Sequence, residues 1–225
     1  MKNLQYETFI LKNTQFGDWL QCDLIRIEEK RAWWKSQKYR FLSATQAGPW
    51  MFNASDRAKG AKQRVFRELI DLSLGRNKTI PFRSFHMERG IALEEQAEAY
   101  FSNFLDTQLL KVGLCKSYHG LFCCVPDGLM MQDKSGFEGK APSKFKHLEY
   151  LKNGTLPNQY LYQVHFCMAV TGAESWWFQS WHPEELPLTL KIERSSFTES
   201  LFSRAVELSG ELLEEMDKEH QIANN

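Results

Sequence analysis

A chain of 225 residues, 43% hydrophobic and 25% charged, is long enough for one substantial domain and has the composition of a globular protein. Lys+Arg and Asp+Glu both number 28, and zero net charge argues against holding nucleic acid by bulk positive charge alone. No apolar run approaches the roughly 18 residues of a membrane span. The opening MKNLQYETFILKN lacks the apolar stretch of a secretion signal, so the cytoplasm is the default expectation and no membrane is involved.

Residues 16–50 mix charges with aromatics and are expected to be helical in parts. Val65, Phe66, Leu69, Ile70 and Leu72 form an apolar stripe that predicts a helix over 57–73. Gly75 should close it and Pro81 prevents its continuation. The same stretch carries Arg57, Lys59, Lys62, Arg64 and Arg67 with no acid among them. Five lysines in 134–152 face only Glu138 and Glu149, whereas 207–219 is acidic. Such asymmetry suits a nucleic-acid groove with an acidic back, and equally a pair of solvated helix faces.

A second helix is predicted over 87–104, then strands at 109–118, 121–125 and about 137–140. Turn formers cluster between the last two, at Pro126-Asp127-Gly128 and Asp133-Lys134-Ser135-Gly136. A helix should start near Pro157 and stop at Thr171-Gly172. Strands at 175–181 and 188–193, separated by HPEELP, precede a closing amphipathic helix over 196–218. The order describes one α/β domain, a mixed central sheet flanked by helices. Five cysteines at 22, 115, 123, 124 and 167 include no CxxC pair, and buried free thiols are expected.

The segment CCVPDGLMMQDKSGFEGKAP (123–142) carries the most chemistry. Asp127 follows an apolar strand, where a sheet delivers a side chain to its edge. Glu138 and Lys140 are two apart on the next strand and share a face. Two carboxylates there can hold Mg²⁺, a hard ion that prefers oxygen ligands, with the Gly139 carbonyl as a further donor. A neighbouring lysine can orient or deprotonate a water and offset charge developing on a phosphoryl group. Alone, Asp…Glu-x-Lys is short and common, and a hairpin with a solvated turn aspartate explains it as well.

Neighbouring segments add to it. Gly90, Glu94, Ala97 and Phe101 fall on one helical stripe, and a carboxylate in that company is costly unless paired or bound to a metal. Tyr160, Gln163, Val164 and Cys167 share another stripe, where Gln163 is either a satisfied core amide or a group that bonds a water or phosphate. His165, one position off it, is expected to be structural.

The ordered set of Gly90-x-x-x-Glu94, Pro126-Asp127-Gly128, Glu138-x-Lys140 and Gln163-Val164 resembles the lambda-exonuclease family. These are phage-type alkaline, YqaJ-like exonucleases of the PD-(D/E)xK nuclease superfamily. The resemblance runs from about Trp34 to the end of the last helix and includes KAPS, YLYQVHF and WWFQSWHPEELP. It implies a restriction-endonuclease-like core, Asp127, Glu138 and Gly139 as ligands of Mg²⁺ (Mn²⁺ substituting), Lys140 as catalytic lysine, and Glu94 and Gln163 as supporting catalytic groups. It also implies a 5′→3′ exonuclease that degrades one strand of linear duplex DNA and leaves 3′ tails. A homotrimeric ring around DNA, a single-strand annealing partner in recombination and, for a phage protein, the bacterial host cytoplasm come with it. Counted from Trp34, the family's 5′-phosphate pocket falls on Lys38 and Thr45, with Arg40 a nearby substitute. Lysine keeps the charge there but lacks the bidentate fork of arginine. The implied division is 1–86 for an amino-terminal helical part with DNA-end contacts, 87–193 for the catalytic core and 194–225 for the closing helix. A nicking or structure-specific endonuclease on the same core and a metal-free DNA-binding module are the competing readings.

Overall fold

The computed structural model describes residues 10–11, 19–37, 41–76 and 85–224, and its strands divide into two sheets where one was expected. The first contains β1 (Ile10–Leu11), β2 (Cys22–Ile25), β3 (Leu42–Ser43), β4 (Leu114–Ser117) and β5 (Phe122–Cys124), in the order β1-β2-β4-β5-β3. The second runs β6 (Gly128–Met130), β7 (Ser135–Lys140), β8 (Ser175–Ser180), β9 (Leu188–Glu193). The pairs β3–β5 and β7–β8 are parallel and the others antiparallel, so both sheets are mixed. Flanking them are α1 (Lys30–Gln37), α2 (Asp56–Ser73), α3 (Phe85–Leu105), α4 (Lys144–Asn153), α5 (Asn158–Thr171) and α6 (Ser196–Asn224).

The long helices lie where the apolar stripes placed them. Ser55 caps α2 by accepting a bond from the Ala58 N–H, and Gly75 sits at φ 69 beyond its end. Short elements differ from expectation. Residues 22–25 form a buried strand within a region expected to be helical in parts, and the three residues from Gly128 of the Pro-Asp-Gly turn onward pair as β6. The expected strand at 109–118 forms only over 114–117, while Leu110 makes an isolated bridge to Leu129. Helix α4 was not foreseen. It buries only His147 and Tyr150, too few positions to write a stripe.

Helix α5 is the centre of the molecule. Every position from 164 to 171 is buried, where a single stripe was expected. The helix packs on β4 and β5 of one sheet, β7 and β8 of the other, and α6. A helix covered on all sides must be apolar all round, and this one carries no charged residue. The other face of β7 and β8 is covered by α3, through Phe101, which lies 4.2 Å from Phe137 and 5.7 Å from Trp177 between ring centroids.

Gly136 stands opposite Trp176 across the β7–β8 pair, and a Cβ there would lie 2.3 Å from the buried indole. Gly136→Ala is therefore expected to destabilise the fold by about 3 kcal/mol, the upper end of ordinary overpacking. Chemical denaturation at constant m-value measures it, and an unchanged midpoint would contradict this packing.

Candidate active site

Asp127 sits in the turn between β5 and β6, with its backbone N–H bonded to the Phe137 carbonyl at 3.2 Å. The Gly139 N–H donates to Asp127 Oδ2 at 2.8 Å, which ties the carboxylate to β7 just past the end of β6. A paired strand residue sends its N–H and C=O to the same edge, so the Gly139 carbonyl faces the Asp127 side as well. A Cβ on Gly139 would lie 3.2 Å from the Phe137 ring, so the packing here is already close.

Glu138 and Lys140 share the opposite face of β7, under α5, as their spacing predicts. Glu138 Oε1 receives the Lys140 ammonium as an ion pair and a bond from Gln163 Nε2 at 2.6 Å. The Lys140 ammonium also lies 5.8 Å from the centre of the Tyr160 ring. Glu138 is only 2% exposed, and its second oxygen, Oε2, is buried with no hydrogen-bond partner. A buried carboxylate oxygen with nothing to accept from is costly.

The electrostatics follow from this crowding. Burial raises the Glu138 carboxyl to about 7; Lys140 opposes the rise and the nearby Asp127 charge adds to it. Half-buried Glu94 is raised by burial and then by Asp127, with Lys140 pulling the other way, so α3 brings it within electrostatic reach of both. Burial would draw Lys140 down, but Glu138, Asp127 and Glu94 together outweigh it and hold the ammonium charged. Three elements thus converge three carboxylates on one lysine. Among the described residues no group of three His, Cys, Asp or Glu side chains forms a ready-made metal cage. Two carboxylates plus a backbone carbonyl instead suit an ion that keeps several of its waters.

Lys111 joins the site without a sequence signal. The Leu110–Leu129 bridge carries it alongside the turn, where its ammonium bonds the Asp127 carbonyl at 2.5 Å and pairs with Glu98, one turn beyond Glu94 on α3. It therefore fastens the acid-bearing helix to the Asp127 turn. His165 is structural as expected, bonded to Thr198 Oγ1 at 2.8 Å. All five cysteines are buried and free. Thr45 is exposed in a 3₁₀ turn, 3.0 Å from Ser43 Oγ, and no described hydrogen bond links it to the carboxylates. Lys38 and Arg40 lie outside the described residues.

Residues 33–174 match the YqaJ-like viral recombinase domain, well over half of the chain. The chain belongs to that family. Among solved structures, this family member resembles an alkaline exonuclease, LHK-Exo, from Laribacter hongkongensis, with 23% identity, a TM-score of 0.72, and 86% of this chain covering 98% of that one. The dAMP complex of LHK-Exo gives 24% identity and a TM-score of 0.73 over the same shares of both chains. A phage-related exonuclease from Haemophilus somnus 129PT follows at 12% identity and a TM-score of 0.56, with 80% of this chain covering 96% of that one. These likenesses show a shared fold. None of the curated proteins matches the sequence.

The raised Glu138 carboxyl makes stability depend on pH. Its folded value, about 7, lies above the usual carboxylate value, so the folded chain binds the extra proton. Stability of the metal-free protein should then fall as pH rises from about 4.5 to about 7, by on the order of 3 kcal/mol from this group. Melting curves in EDTA across that window should show a shallower fall in Glu138→Gln. Parallel curves for the two proteins would contradict the assignment.

Proposed function

We propose that this chain is a Mg²⁺-dependent 5′→3′ exonuclease that degrades one strand of linear duplex DNA. The observation that carries the reading is the buried Glu138 Oε2, without a partner among the described residues, on a carboxyl that feels the Asp127 charge and has Lys140 and Gln163 on its other oxygen. A carboxylate held in that state is well suited to an inorganic cation. Asp127, Glu138 and the Gly139 carbonyl would hold it, and Mn²⁺ fits the same oxygen donors. When bound, the ion supplies Lewis-acid polarisation of the scissile phosphate.

The remaining roles follow from charge. In the metal-free chain Lys140 is kept protonated by three acids, so it acts as a fixed cation toward charge developing on the phosphoryl oxygens rather than as a base. Glu94, raised by burial and by Asp127, is the better acceptor for a proton from the attacking water. Gln163 holds Glu138 in place. Family membership and the fold shared with alkaline exonucleases support nucleolytic chemistry on DNA. Polarity, 3′ tails, a 5′-phosphate grip by Lys38, Arg40 and Thr45, a ring-shaped homotrimer and a single-strand annealing partner rest on the resemblance in the motifs, as does action in the host cytoplasm. The same holds for the division into DNA-end, catalytic and closing parts. No described helix is long and apolar enough to cross a membrane.

A linear duplex labelled at either the 5′ or the 3′ end, offered with and without a 5′-phosphate, tests this reading. Release of 5′-terminal nucleotides in Mg²⁺ and none in EDTA is expected, with closed circular plasmid left intact. Nicking of the circle would move the activity to an endonuclease on the same core. Lys140→Ala should lower the rate about 10²-fold or more, and undiminished digestion by it would overturn the mechanism.

A further inference from the structure

A DNA enzyme of zero net charge must find affinity beyond phosphate attraction, and the structure narrows where. Several lysines of the two basic runs already pair with this chain's own acids. Lys62 pairs with Glu211, Lys134 with Glu174 at 3.1 Å, Lys146 with Glu149 at 2.9 Å, and Lys144 with both Glu184 and Glu185 at 2.9 Å. The other general way to hold a nucleic-acid strand of any sequence is to stack its bases on aromatic rings.

Three such rings run along the α3 face from Trp181, whose backbone adjoins that of the catalytic lysine. The Trp181 backbone N–H donates to the Lys140 carbonyl at 2.8 Å, so the first residue past β8 lies beside the end of β7. Alternation along β8 turns Trp177 and Trp181 to the α3 face, the face from which Glu94 approaches. There Trp181 meets Tyr100 at 4.9 Å between centroids, and Tyr100 lies about 9 Å along the helix axis from Glu94. Phe104 continues the row one turn on, nearly parallel to Tyr100 at 12° and 6.2 Å. The helix sends Phe101 into the core at 0% exposure but leaves Tyr100 36% and Phe104 62% exposed. The buried Trp181 indole nitrogen has no hydrogen-bond partner among the described residues, so a bond from its N–H does not account for the ring's position. Tyr100 and Phe104, stacked and facing solvent beside a half-buried Trp181, contribute little to the core.

We propose that Tyr100, Phe104 and Trp181 form a stacking platform for nucleobases of the DNA strand at the active site. The inference rests on the exonuclease reading and adds to it the part of the substrate, base faces rather than phosphates, that supplies affinity. Stacking is blind to base identity, as an enzyme that digests any sequence requires, and each stacked base contributes about 1–3 kcal/mol.

The test uses the full chain and a duplex oligonucleotide with 2-aminopurine within the two terminal nucleotides of the digested strand. In Ca²⁺, without turnover, wild type should quench the probe, and Tyr100→Ala and Phe104→Ala should not. In Mg²⁺ the same variants should raise KM for linear duplex about 5- to 100-fold, with kcat changed less. Tyr100→Phe keeps the ring and should restore most of the affinity that Tyr100→Ala loses. Unchanged quenching and KM in both alanine variants would overturn the platform. So would an altered sedimentation coefficient at unchanged KM, which would make the row a contact between copies of this chain. Wild type that digests no DNA would defeat the exonuclease reading, while the quenching experiment would still decide the platform.

Discussion

Burying the Glu138 carboxylate is the constraint around which the site is arranged. At 2% exposure, beside Asp127, its charged form loses several kcal/mol of hydration, and the protein returns only part of that through Lys140 and Gln163. The arrangement explains why β7 lies inside its sheet, paired with β6 on one side and β8 on the other, with α5 over one face and α3 over the other. It explains also why α5, without a charged acidic or basic side chain along its buried length, carries Gln163 where it crosses the carboxylate. A second restraint acts from outside. Lys111 joins α3 to the Asp127 turn through Glu98 and the Asp127 carbonyl, so the helix acid and the turn acid keep a fixed relation.

Those restraints leave one of the two Glu138 carboxylate oxygens unsatisfied. Structural carboxylates end in complete hydrogen-bond sets, because an orphaned buried acceptor costs free energy with no return. Glu138 Oε2 departs from that rule at the place where Asp127, Glu94 and Lys140 converge. Perturbed carboxyls clustered in this way mark functional sites more often than structural ones. The chain shares its fold with alkaline exonucleases at 23–24% identity.

Much of the site was legible in the sequence because its signals are local. A spacing of two puts Glu138 and Lys140 on one strand face, and a stripe at helical spacing puts Gln163 above them and Glu94 beside Ala97 and Phe101. The Pro-Asp-Gly turn places Asp127 at a sheet edge. Features that depend on distant pairing were hidden. Lys111 reaches Asp127 only through a one-residue bridge between Leu110 and Leu129. The basic runs looked available for a partner, but acids as far as 40 and 149 residues away pair with some of their lysines, as with Lys144 and Glu184 or Lys62 and Glu211. The division into two sheets turns on which strands bond, and a three-residue strand such as β6 is too short to carry a pattern.

Locating a bound Mn²⁺ by its anomalous scattering in crystals of the metal-loaded protein tests the central claim most directly. The account predicts a peak in ligand contact with Glu138 Oε2 and an Asp127 oxygen, and no peak there in Glu138→Gln. Density at that oxygen explained by a water or a side chain, with Mn²⁺ elsewhere or nowhere, would contradict it.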